Sequence, residues 1–145
     1  MATVEQLLGR KGAHVRTIGP AASALDAALA MNEHSIGALV VVENDHVLGI
    51  VTERDILRRL VARRRDPADC AVADIMTREV VCCRPETTVR EAGAIFMQQR
   101  IRHLPVVSTQ GALQGLISIG DVNAWELDGQ EQEIHYLHEY LYGRT

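Results

Sequence analysis

Apolar positions along the chain fall into short runs whose order is written once and then written again. Val15 to Ile18 reads as a short strand. Ser23 with Asp26 three residues on is a capping-box pattern, and it predicts a helix over about Ala24 to Glu33 with Leu25, Ala28 and Leu29 as its buried stripe. Leu39 to Val42 and Val47 to Val51 are continuous apolar runs, the mark of strands covered on one or both faces, joined by a hairpin turn at Glu43-Asn44-Asp45-His46. A helix from Glu53 to about Arg63 closes the unit. The second cycle begins with a strand at Val80 to Cys83 and a helix capped by Thr88 and Glu91, with Val89, Ala92 and Phe96 facing inward. Strands at Leu104 to Val107 and Leu113 to Ile117 follow, around a turn at Ser108 to Ala112, and then a helix near Asp121 to Glu126.

The duplication is clearest at Gly49-Ile50-Val51-Thr52-Glu53-Arg54-Asp55, which returns as Gly115-Leu116-Ile117-Ser118-Ile119-Gly120-Asp121. Pro20 matches Pro85 and Ile36 matches Ile101 at an offset of 65, whereas the motif matches at 66, so the second hairpin carries one inserted residue. The organisation expected is an N-terminal arm (1–12), repeat 1 (13–65), a linker around Asp66-Pro67-Ala68-Asp69 with a helical turn at Val72 to Met76 (66–77), repeat 2 (78–128) and a C-terminal helix (129–145). The arm should be a short helix opened by Thr3 and ending at Gly9-Arg10-Lys11-Gly12. In the terminal helix Ile134, Leu137 and Leu141 share a face, with Tyr140 beside them, fit to dock on the repeats or on another subunit. The fold class expected is α/β (α+β): two pseudosymmetric β-α-β-β-α repeats packed as one pair, with short terminal helices.

Composition narrows the function classes. At 145 residues and 47% apolar the chain can bury a real core. Its longest apolar run, Ile36 to Val42, is far short of the roughly 18–20 residues of a membrane span, and no signal-peptide pattern opens it, so a cytosolic protein away from membranes is the expectation. A net charge of −4 argues against general nucleic-acid binding. The cluster Arg58, Arg59, Arg63, Arg64 and Arg65 lacks interleaved aromatics and suits the carbonyl end of a helix. Cys70, Cys82 and Cys83 form no CxxC pair and read as reduced thiols. His135 and His138 with Glu131 and Glu139 read as a solvated helix face rather than a metal site, and His14, His34 and His46 as exposed. Trp125 reads as packing. With no nucleophile–base pair, paired carboxylates or glycine-rich phosphate loop, an enzyme is not expected.

The duplicated motif places a hydroxyl, Thr52 or Ser118, and a carboxylate, Asp55 or Asp121, at a helix N-terminus. Unpaired N–H groups and the helix dipole favour an anion there, and the hydroxyl adds a donor for phosphate. A carboxylate accepts from vicinal ribose hydroxyls, and the flanking strands could hold a flat base: phosphate, sugar and base together suggest a nucleotide. Thr-x-x-Asp and Ser-x-x-Asp are equally helix-capping patterns, a use this chain makes of Thr3, Ser23 and Thr88.

Together with Ile36-Gly37-Ala38-Leu39-Val40-Val41, Asp74-Ile75-Met76-Thr77 and Ile101-Arg102-His103-Leu104-Pro105-Val106-Val107, the two motif copies resemble a tandem pair of CBS domains, a Bateman module, over about residues 3–143, and specifically the small stand-alone bacterial proteins made of little else. The resemblance implies two clefts between the repeats, each able to take an adenosyl ligand (AMP, ADP, ATP, NAD or S-adenosylmethionine), and pairs that form homodimers. Carried over by motif, Asp55 and Asp121 would bind ribose, and Thr52 and Ser118 phosphate or ribose. Gly37, Ala38, Arg102 and His103 would line base and phosphate, and Ile18 and Cys83 would flank adenine. Repeat 2 offers Arg102 and His103 where repeat 1 has Gly37 and Ala38, although Arg54 compensates in part, and Pro105 in the second base pocket is Val40 in the first. The Asp121 cleft is therefore expected to bind more tightly, with AMP or NAD favoured over ATP. The function expected is a nucleotide-sensing regulatory protein acting on an unnamed partner; the alternative is an interaction scaffold with vestigial clefts.

Overall fold

The computed structural model describes residues 1–129. The expected C-terminal helix, with His135 and His138, lies outside the described residues.

Helix α1 (Val4–Lys11) opens on Thr3 with a complete capping box. Repeat 1 follows as β1 (Thr17–Ile18), α2 (Ala24–His34), β2 (Ala38–Glu43), β3 (His46–Thr52) and α3 (Glu53–Asp55), which runs into a π-helical stretch at Ile56–Val61. The sheet order is β1-β2-β3, with β1 parallel and β3 antiparallel to β2. The β2–β3 hairpin closes through Asn44 and Asp45, both at positive φ (53° and 64°), the geometry of a two-residue turn whose twist matches the strands. A 3₁₀ turn at Pro67–Asp69 and α4 (Val72–Ile75) lead to repeat 2: α5 (Val89–Gln99), β4 (His103–Val107), antiparallel β5 (Leu113–Ser118) and a helix α6 over residues 119–129. Its hairpin loop is longer and turns at Gly111, with Ser108 bonding back to Ala112, which absorbs the inserted residue.

Two expectations need correction. The strand at Val80 to Cys83 is reduced to one parallel bridge, Cys83 to Val106. In repeat 1 the Val40 N–H donates to the Arg16 carbonyl and helps β1 pair with β2. Pro105 stands at the matching position in β4 and has no N–H to give, so the pairing stops after one residue. The buried stripe of α2 is Ala24, Ala27 and Met31; Leu25 and Leu29 are 38% and 56% exposed. These buried positions match Val89, Ala92 and Phe96 of α5 at the same offset of 65, so the duplication, rather than side-chain size, sets the face.

The two cores exchange their lids. α1 precedes repeat 1 yet packs on repeat 2, where Val4 and Glu5 donate to the Thr87 and Pro85 carbonyls at 2.7 and 2.9 Å. Val4, Leu7 and Leu8 share a core with Phe96, Leu104 and Ile117. α4 precedes repeat 2 yet packs on repeat 1. Val72 donates to the Ala22 carbonyl at 2.8 Å, and Val72, Ile75 and Met76 join Met31, Leu39 and Val51. Burying each such aliphatic side chain contributes about 1.5–3 kcal/mol, so neither lid is dispensable.

Candidate functional site

The Thr52–Asp55 box is closed on itself. The Thr52 N–H and hydroxyl both donate to Asp55 Oδ2, at 3.0 and 3.2 Å, and the Asp55 N–H returns a bond to Thr52 Oγ1 at 3.3 Å. Thr77, arriving behind α4, donates its hydroxyl to Asp55 Oδ1 at 3.1 Å. Arg59 stands 3.8 Å from the same oxygen and donates to the Met76 carbonyl at 2.9 Å. The Asp55 side chain is 8% exposed, with both oxygens engaged.

In repeat 2 the same backbone geometry leaves more open. The Ser118 N–H donates to Asp121 Oδ2 at 2.8 Å, and the Asp121 N–H donates to Ser118 Oγ at 3.1 Å. Lys11 reaches over from the end of α1 and donates to Asp121 Oδ2 at 2.6 Å and to the Leu116 carbonyl at 2.9 Å. Among the described residues no donor reaches Asp121 Oδ1, and the Ser118 hydroxyl donates to no protein acceptor. The Asp121 side chain is 24% exposed, three times the value for Asp55.

The residues leading the middle strands stand beside these hydroxyls. Ala38 pairs with Thr52 and His103 with Ser118. The Gly37 carbonyl accepts from Glu53 N–H at 3.1 Å, and the Arg102 carbonyl accepts from Ile119 N–H at 2.9 Å, so both motif helices are tied down alike. The repeats meet at this point: a Cβ on Gly37 would lie 3.2 Å from Glu53 Oε1 and 3.6 Å from His103 Cε1. The His103 imidazole is held below its ordinary range, first by burial and then by Arg102, with Glu53 and Asp121 opposing and Lys11 adding to the lowering. Arg54 and Arg102 are exposed. Ile18 packs against the repeat 1 core, Cys83 is buried in the repeat 2 core and Pro105 is buried in β4. Burial pushes the Cys83 thiol up to about 12 and keeps it a thiol.

Two grooves flank this region. One of about 470 Å³ lies between α2 and the motif helix, with Met31, Ile36, Glu53 and Ile56 on its walls. Another, of about 340 Å³, lies between α1 and repeat 2, beside Leu8, Gly12, Pro85 and Gln114. Neither is lined by the motif carboxylates. Among the described residues no helix is long and apolar enough to cross a membrane, and no three His, Cys, Asp or Glu side chains gather as metal ligands.

A duplicated unit of this order, with a Thr or Ser and an Asp capping each closing helix, meets a family model for the CBS domain at residues 10–62 and again at 72–127. The chain belongs to the CBS-domain family. The mitochondrial CBS domain-containing protein CBSX3 of Arabidopsis thaliana is 39% identical over 123 residues, which cover 81% of this chain and 59% of that protein. The chain thus spans about three fifths of that relative's length. Among solved structures, a protein with CBS domains from Burkholderia ambifaria superposes with a TM-score of 0.84 at 39% identity, covering 89% of this chain and 96% of that one. CBSX2, crystallised in complex with AMP, gives a TM-score of 0.73 at 25% identity, covering 90% and 99%.

Three features of this CBS pair escaped the sequence reading. Lys11 and Thr77 sit on the segments that cross between repeats; Thr77 closes the Asp74-Ile75-Met76-Thr77 motif, but nothing in the pattern points to either residue as a partner of the motif carboxylates. The third is the motif glycine. A Cβ on Gly49 would stand 2.6 Å from the Thr77 carbonyl oxygen, and one on Gly115 2.7 Å from Leu8 Cδ1. Both glycines admit a crossing segment to the sheet, and Ile50 and Thr77 exchange backbone bonds there at 3.0 and 2.8 Å. Comparing residues 3–12 with 71–77 as a second repeat would have been the available signal.

Proposed function

We propose that this CBS pair is a cytoplasmic regulatory protein that binds an adenine nucleotide at the Asp121 cleft and signals to a partner through a change in the arrangement of its repeats. The carrying observation is the half-engaged carboxylate: Asp121 Oδ2 is fixed by Ser118 and Lys11, while Oδ1 has no donor among the described residues. Ribose hydroxyls would donate to Oδ1, the Ser118 hydroxyl would turn to a ligand oxygen, and Arg102 and His103 would meet phosphate. AMP in the crystals of CBSX2 supports an adenosyl ligand. The few cations at the cleft favour AMP or NAD over ATP; ADP and S-adenosylmethionine share the adenosine that the motif addresses. Binding, rather than turnover, is the role assigned to both carboxylates, and a homodimer is the assembly proposed. A ligand moves the repeats only as far as its affinity differs between the two arrangements.

Isothermal titration of nucleotide-stripped protein with AMP, ADP, ATP, NAD, NADH and S-adenosylmethionine tests this reading. Charge-assisted bonds of about 1.5–3 kcal/mol set the expected loss in Asp121→Ala at roughly ten- to a hundredfold. Unchanged affinity in that variant refutes the site. A folded native sample silent to all six ligands would instead favour an interaction scaffold, a reading to which the closed Asp55 box already lends support in repeat 1.

A further inference from the structure

We infer that Lys11 is the phosphate-reading residue of the Asp121 cleft, an ammonium delivered from outside repeat 2 that makes the cleft prefer a nucleoside monophosphate to the bare nucleoside. The inference rests on the nucleotide reading above. Lys11 ends α1, and its neighbour Arg10 anchors it: the Arg10 guanidinium lies over the Trp125 ring, 4.7 Å from the centroid, and pairs with Asp128. Both partners belong to α6, the helix that Asp121 helps to open. The Lys11 ammonium has three N–H donors. Two are spent, on Asp121 Oδ2 and the Leu116 carbonyl, and no third acceptor is found among the described residues. Its side chain remains 36% exposed.

Two further basic residues, Arg102 and His103, lie beside Ser118, His103 as its strand partner and Arg102 through its carbonyl, which accepts from the Ile119 N–H. In a 5′-nucleotide the phosphate is one methylene from the sugar. The hydroxyls a carboxylate would hold are on C2′ and C3′, whereas the phosphate hangs from C4′ through C5′, so an ammonium kept on the carboxylate reaches a phosphate oxygen that comes within about 5–6 Å of it, two hydrogen-bond lengths. In repeat 1 the crossing segment brings only the neutral Thr77 hydroxyl, spent on Asp55, and Arg59, 3.8 Å from that carboxylate, gives its guanidinium to the Met76 carbonyl. The asymmetry assigns phosphate recognition to the second cleft.

The test is titration of the full chain with AMP and with adenosine, in native protein, Lys11→Met and Lys11→Arg, with thermal unfolding as the folding control. Native protein should prefer AMP; Lys11→Met should lose about tenfold for AMP and remain within about twofold for adenosine; Lys11→Arg should restore the preference. Equal losses for both ligands, or an unchanged AMP preference in Lys11→Met, would overturn the inference and leave the nucleotide reading standing. Native protein that binds neither ligand would remove that reading and the inference with it. Should Lys11→Met fail to fold, Lys11→Gln carries the same comparison.

Discussion

In repeat 1 the motif carboxylate is reached by a hydroxyl from the crossing segment, and in repeat 2 by an ammonium. Asp55, with Thr52, Thr77 and Arg59 around it, has become a buried knot that ties the linker to the sheet. Asp121 keeps one oxygen without a donor among the described residues and a quarter of its side chain in contact with solvent. The backbone boxes are nearly superimposable in their bonds, Thr52 to Asp55 and Ser118 to Asp121. Two copies of one motif therefore differ in availability because of residues that lie outside the motif. A hydroxyl that turns inward onto its own carboxylate, as in Thr52, is a folding device; one that finds no acceptor among the described residues, as in Ser118, is a spare donor.

That contrast can be broken in several ways. The largest effect should come from Gly49→Ala, where the added methyl meets the Met76 side chain at 2.8 Å, which can move aside, and the Thr77 backbone carbonyl at 2.6 Å, which cannot. A loss of about 3 kcal/mol is expected in urea unfolding, against about half that for Gly115→Ala, where the neighbour is the Leu8 side-chain tip. Equal losses would mean that the two crossings are equally rigid. Next, Asp55→Ala should lose about 2 kcal/mol of stability, through the cap and the bond from Thr77, while Asp121→Ala should lose under about 1 kcal/mol because its ion pair is solvent-screened. Combined with the titrations, this predicts a double dissociation: stability at Asp55, affinity at Asp121. Similar stability losses in both would dissolve the distinction.

Smaller still is Pro105→Val, which returns an N–H to β4 and should add about 0.5–1 kcal/mol. Slowed hydrogen exchange at the new residue 105 amide would show the lengthened strand; a freely exchanging amide would refute the account of why repeat 2 lacks one. The smallest effect is a pH dependence at His103. Its folded-state pKa lies below the ordinary value of 6.5, so the unfolded chain takes up the proton first. Stability is complete above about 6.5 and declines as the pH falls toward the folded value, and His103→Gln should flatten that part of a melting-temperature profile. A rising profile on acidification would reverse the sign assigned to burial and Arg102.

Much of this architecture was legible in the residues. The capping boxes at Thr3, Ser23 and Thr88 all form as the spacing predicts, and the hairpins lie where the polar breaks place them. The failures have definite physical sources. On α2, size points to Leu25 and Leu29 as the buried stripe, whereas the buried face carries the smaller Ala24 and Ala27 together with Met31. Val80 to Cys83 has strand-forming residues, yet whether it pairs depends on a proline some twenty residues away. For the candidate site, the carboxylates, hydroxyls and strand-leading residues could be named from the motifs. The contacts that Lys11 and Thr77 make with those carboxylates could not, because they depend on which core each leading segment closes, and that is a long-range property.

The exchange of lids also bears on how such a chain could arise and be taken apart. A single repeat with its own leading segment, paired with an identical copy, would make both exchanges at once, each leader closing the other's core. Joining two such copies end to end requires only a connector like the stretch from Arg63 to Asp69, and no contact has to be invented. The same geometry means that a cut in that connector would not release two separable halves. Each fragment would still hold the piece that completes its neighbour, so the nicked halves should remain associated in solution and refold only together.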